Sequence, residues 1–181
     1  MFERWSEYFF MIGSSAAALI GLMFVVVTLT AGRGRRETEG GKHLYTSPVV
    51  WHLGVVLVVS GGSIAPAMSA RVYGTGCGVL ALAGLAIGIR SAIGIARTRL
   101  GGSENIYFDM CWYGIVPAAV YVSLAAAALG VLYGASWGVT TVAASLMALL
   151  LVSIHAEWDL VTFLAPLASK PSDTATGAGA E

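Results

Sequence analysis

Apolar residues along this chain run in unbroken stretches rather than alternating with polar ones. Five stretches, 8–31, 48–68, 72–96, 112–133 and 138–160, are long enough for a helix to cross a hydrocarbon core, which takes about 20 residues for about 30 Å. The charged residues fall mostly between them. The pattern therefore predicts an all-α integral membrane bundle of five transmembrane helices over 1–168. A small, polar, disordered tail is expected over 169–181.

The punctuation fits those boundaries. Thr46 and Ser47 before Pro48 read as a capped helix start, with proline at the first helical position. Pro66 lies near the end of the second stretch. Residues 69–71 and 134–137 read as tight turns, which would make the second and third helices, and the fourth and fifth, antiparallel neighbours. The first stretch is expected to be a span rather than a cleaved signal, because it is too long for a signal core and is flanked by Glu3 and Glu7 beside Arg4.

Composition strengthens this reading. The chain has 181 residues, 57% hydrophobic and only 11% charged, where soluble domains carry about 25% charged residues. A soluble fold of this size is mostly surface and could not hide so much apolar area. The formal net charge is zero, so no overall field favours nucleic acid, and none is expected as a partner. The two cysteines, Cys77 and Cys111, form no CxxC, which excludes a disulfide framework, a zinc ribbon and a thioredoxin-type site.

The distribution of charge predicts orientation. Arg33, Arg35, Arg36, Lys42, Arg97, Arg99 and Lys170 fall in the two longer connections and the tail, whereas the opposite side holds only Arg4 and Arg71. The positive-inside rule then places the long connections and the C-terminus in the cytoplasm, with the N-terminus outside. Trp5, Tyr8, Tyr73, Tyr133 and Trp137 would ring one interface; Tyr45, Trp51, Tyr107, Trp112, Tyr113 and Trp158 would ring the other.

Two residue classes inside the spans stand out. Small residues recur at four-residue spacing: Gly13, Ala17 and Gly21; Gly84 and Gly88; Gly130 and Gly134. Such stripes let helix backbones approach closely, either within the bundle or between copies; contact between copies is expected through the first helix, which lacks a hairpin partner. Ionisable residues are costly in lipid and need a partner or water. His52, Arg90, His155, Glu157 and Asp159 are expected at similar depth on the cytoplasmic side, with His155 and Asp159 four apart on one helix face.

Three readings of that polar cluster compete. Arg90 could pair with Glu157 or Asp159 while Asp159 orients His155. The group could line a proton or ion path, which two histidines would suit. His52, His155 and a carboxylate could hold a metal, although no HxxxH or HExxH spacing is present. No nucleophile–base pair accompanies the serines of the apolar helices, so no catalytic residues, cofactor or metal site are assigned. The basic stretch 34–42 lacks phosphate-loop spacing and has His43 where such a loop needs Ser or Thr. Proximity to anionic lipid headgroups or ordinary topology signalling explains it instead.

Trp5, Ser6, Glu7, Tyr8, Phe9 and Phe10, followed by the stretch 13–30 beginning Gly13, Ser14, Ser15, and later the run Glu157, Trp158, Asp159, Leu160, Val161 and Thr162, resemble small bacterial multi-pass inner-membrane proteins. Some of these are labelled modulator of FtsH protease. The resemblance implies an inner-membrane location and a regulatory role, and it brings no catalytic residues. The expectation is a non-enzymatic membrane protein whose partners are the lipid bilayer and either further copies of itself, as a homo-oligomer, or another membrane protein. The alternative is a small ion or proton channel or transporter built on the polar cluster.

Overall fold

The structure, a computed structural model, describes residues 3–30, 39–98 and 111–168. Secondary structure among them is helical, with no strand. A 3-10 turn, Glu3–Trp5, leads into α1 (Ser6–Thr30), and α2 (Glu39–Ile64) and α3 (Ala70–Thr98) follow. A π-helical turn, Cys111–Ile115, opens α4 (Val116–Leu132), and α5 (Trp137–Ala168) completes the described chain. The connection holding Arg33, Arg35 and Arg36, the segment 99–110 and the tail 169–181 lie outside the described residues.

Four stretches are long and apolar enough to cross a membrane: Ser6–Val26, Ala70–Ile93, Cys111–Leu132 and Trp137–Asp159. The apolar part of α2, Pro48–Ile64, is shorter. A helix suits such sequences because it satisfies its backbone groups internally, which a lipid-facing chain must do. The outward faces are apolar too: Phe24 is 70% exposed, Val79 61%, Leu82 62% and Leu151 57%. Large side chains of this kind spread over several helices make a surface that water would not tolerate and hydrocarbon does. The molecule is thus a membrane protein with an all-helical bundle.

Several boundaries differ from those the apolar pattern predicts. α2 is already helical at Glu39 and carries Pro48 inside it rather than at its start. Proline removes one intrahelical hydrogen bond, a defect that long membrane helices accommodate. The same helix stops at Ile64, short of 68. Pro66 disfavours helical geometry at Ala65, and Ala67 turns the chain with φ 59°. Ser69 then caps α3, its hydroxyl accepting from the Val72 N–H at 3.3 Å. At α4 the Pro117 ring cannot follow a regular turn, and the preceding Cys111–Ile115 turn is widened to π geometry. α5 continues past 160 to Ala168.

The α4–α5 turn is closed by its backbone. Gly134 adopts φ +71°, a conformation that glycine reaches without the Cβ penalty. The Ala135 N–H reaches the Gly130 carbonyl at 2.8 Å and the Gly134 N–H reaches Val131 at 3.2 Å, the paired bonds of a Schellman ending. The next helix therefore folds back at once.

α3 packs chiefly on α4, α4 on α5, and α1 on α2, while α5 also touches α1 and α2. The Tyr8 hydroxyl ties the start of α1 to the start of α5 by donating to the Ala143 carbonyl at 3.1 Å. The middle is a closed apolar layer: Phe9 and Ile12 of α1, Leu53 and Val56 of α2, Leu124 of α4, and Leu146 and Leu149 of α5 are fully buried.

Candidate functional site

Among the described residues, no hydrogen bond or ion pair joins the five ionisable residues singled out by the sequence into one network. His52 lies on α2, 3% exposed, and its Nδ1 shares a 2.7 Å hydrogen bond with the Tyr121 hydroxyl of α4. Tyr121 is fully buried. It can lie there because Gly84 of α3 has no side chain: a Cβ at Gly84 would stand 2.2 Å from the Tyr121 Cζ. α3 thus supplies a slot, α4 fills it with a ring, and the ring's hydroxyl satisfies a histidine on α2. Three helices meet through one glycine, one tyrosine and one histidine. The Trp51 indole N–H, next in sequence to His52, is buried without a hydrogen-bond partner among the described residues.

A second network sits at the far end of α5, opposite the two tight turns. His155 Nε2 and Asp159 Oδ2 are 3.5 Å apart, one turn from each other, with both side chains more than a third exposed. Asp159 also accepts a hydrogen bond from the Tyr113 hydroxyl at 2.7 Å. Trp112 packs on His155, ring centroids 4.6 Å apart and planes at 40°. The π-helical turn that accommodates Pro117 positions both aromatics, and it is seated on α3 where Gly114 faces Ala92. Glu157 is half-buried, and its Oε1 has no hydrogen-bond partner among the described residues. Arg90 is exposed on α3 and has no ion pair among the described residues. Among the described residues, no group of three His, Cys, Asp or Glu comes together as metal ligands.

The small residues divide by direction. Gly13 is buried against α2, where a Cβ would come within 3.0 Å of the Ser60 Cβ. Ala17 and Gly21 face outward, as do Ser14 and Ala18, and a Cβ on Gly21 would meet nothing within 4 Å. Gly84 receives Tyr121, and Gly88 faces Ala118 at ordinary contact distance. Gly130 lies beneath Trp137 and Gly138, and Gly134 makes the turn.

Tyr121, Tyr113 and Trp112 carry both networks, and sequence reasoning placed the last two only at an interface. A usable signal existed for Tyr121: a tyrosine in the middle of an apolar helix must find a partner for its hydroxyl. The sequence does not say which partner.

Comparison with protein-family models, with curated proteins and with solved structures finds no match to this chain.

Proposed function

We propose that this protein is a five-span inner-membrane protein that acts without catalysis, by associating with copies of itself or with another membrane protein. The observation that carries the reading is the outer face of α1. There Ser14, Ala17, Ala18 and Gly21 are exposed, a small-residue surface that no helix among the described residues occupies. The same helix uses Gly13 and Ala16 inward, so its outward small residues are not needed for its own packing. Small residues on a lipid-facing helix favour close approach by another helix. The resemblance of the first and last helices to small bacterial membrane proteins labelled as protease modulators supports a regulatory role.

Five spans follow if α2 crosses as well. Its 26 residues extend about 39 Å at 1.5 Å per residue, and it packs within the bundle against α1, α3 and α5. An odd number of spans puts the termini on opposite sides, the N-terminus outside and the C-terminus in the cytoplasm by the positive-inside rule. Topology reporters fused to each end test this: opposite compartments are expected, and a shared compartment would reduce the count to four.

Native mass spectrometry of the tagged protein, extracted from its own membrane in mild detergent, tests the association. The wild type is expected as a homo-oligomer or with a stoichiometric partner, and Gly21→Leu is expected to release the monomer. A monomeric wild type, or an assembly indifferent to Gly21→Leu and Ala17→Leu, would contradict the proposal.

One arrangement favours a second reading, conduction of protons or ions. His155, Asp159 and Tyr113 are linked at one end of the bundle, with a buried carboxylate oxygen of Glu157 close by in sequence. A path from there would have to open the apolar layer around Leu53, Leu124, Leu146 and Leu149. Proteoliposomes that carry flux sensitive to Asp159→Asn would favour it; flux equal to that of empty vesicles would remove it.

A further inference from the structure

The outer face of α3 carries a groove of about 540 Å³ lined by Arg71, Val72, Thr75, Gly76, Val79 and Leu80. These residues lie on neighbouring i, i+4 rows, so the groove follows about 14 Å of the helix axis. Gly76 makes its floor: a Cβ there would meet nothing within 4 Å, so no other helix among the described residues fills the space. The walls are apolar, and Val72 and Val79 are both strongly exposed.

Polarity is gathered at one end. Arg71 stands in the first turn of α3, and Thr75 follows one turn in; beyond them the lining is only glycine and aliphatic side chains. The first turn holds no acidic residue. Neither the Arg71 guanidinium nor the Thr75 hydroxyl has a hydrogen-bond or ion-pair partner among the described residues. The positive end of the α3 dipole lies at the same place. A cation at the membrane boundary therefore opens onto an apolar slot running toward the middle of the bilayer.

We propose that this groove holds one anionic phospholipid, with its phosphate on Arg71 and Thr75 and an acyl chain along Gly76 between Val72 and Val79. Charge complementarity selects this occupant. A guanidinium pairs strongly with phosphate, and basic residues at a bilayer surface favour anionic headgroups. An apolar helix from a second copy would instead bury Arg71 with no counter-charge, which is strongly unfavourable. The site is on a different helix from the association face of α1, so the two readings stand or fall separately.

The test is native mass spectrometry of the full chain in mild detergent, titrated with phosphatidylglycerol or with phosphatidylcholine of the same acyl length. The wild type is expected to retain one phosphatidylglycerol and to prefer it about fivefold. Arg71→Gln removes the preference but keeps weak binding of either lipid. Gly76→Leu fills the slot and lowers binding of both lipids. Both substitutions fall on open surface, and an unchanged circular dichroism spectrum confirms the fold. An undiminished preference in Arg71→Gln, or wild-type binding by Gly76→Leu, overturns the proposal. Displacement of the lipid by millimolar inorganic phosphate would mean a free-anion site instead. Loss of a protein dimer in Gly76→Leu, without a change in lipid retention, would assign the groove to a second copy.

Discussion

Two histidines in this bundle meet tyrosine in different company. His52 is almost fully buried and shares its hydrogen bond with the hydroxyl of Tyr121 alone. His155 is more than a third exposed and faces a carboxylate, Asp159, which in turn accepts from Tyr113. Depth explains the contrast. A neutral hydrogen-bonded pair can be enclosed at modest cost, whereas an enclosed carboxylate would need more compensation than one histidine offers. The ionisable partner is found where water or headgroups can reach it. The first pair is accordingly a joint between helices, and the second lies at the more exposed end of the bundle.

The contrast can be broken most severely at Gly84. Gly84→Ala places a methyl 2.2 Å from the Tyr121 ring. It should destabilise the bundle by about 3 kcal/mol, the upper part of the usual cost of overpacking, measured by reversible unfolding in mixed micelles. Combining it with Tyr121→Val should cost less than the two single changes added together. Strict additivity would mean that ring and glycine do not share the slot.

Next in size is Tyr121→Phe, which keeps the ring and removes only the hydroxyl. It leaves the His52 Nδ1 without its partner and should cost about 1 kcal/mol. In a double-mutant cycle with His52→Leu, a coupling of about 0.6 kcal/mol is expected, the average for such bonds between membrane helices. Zero coupling would mean the 2.7 Å contact contributes nothing.

Asp159→Asn sharpens the other side. Asparagine still accepts from Tyr113, and the side chain is partly exposed, so stability should change by less than about 0.5 kcal/mol. A larger loss than that of Tyr121→Phe would reverse the assignment of joint and surface network. Smallest of all, Gly21→Leu should leave unfolding within about 0.5 kcal/mol of wild type, since nothing stands within 4 Å of that position. On the proposed association, its effect belongs to the association state alone. A clear destabilisation would mean Gly21 packs inside the bundle.

Helical class and lipid solvent were legible because they depend on length and composition. An apolar run of this length has one economical conformation in hydrocarbon, whatever surrounds it. The tight turns were legible for a related reason, since Pro66 and Gly134 act on their own backbone. The candidate site was legible only in part. His155 and Asp159 face each other because they are one helical turn apart, a local relation that spacing encodes. The expected meeting of His52 and Arg90 with them rested on equal depth alone, and depth does not specify direction around a helix.

What the sequence by itself determined is therefore the material of the molecule: apolar helices, their approximate ends, and the residues that lipid would not leave unpartnered. The tertiary structure alone decided which partners they take. Helix rotation turned Gly13 inward and Gly21 outward from the same stripe, matched the Tyr121 ring to the gap at Gly84, and carried its hydroxyl to His52. Those choices depend on the simultaneous packing of α2, α3 and α4, and no single segment contains that information.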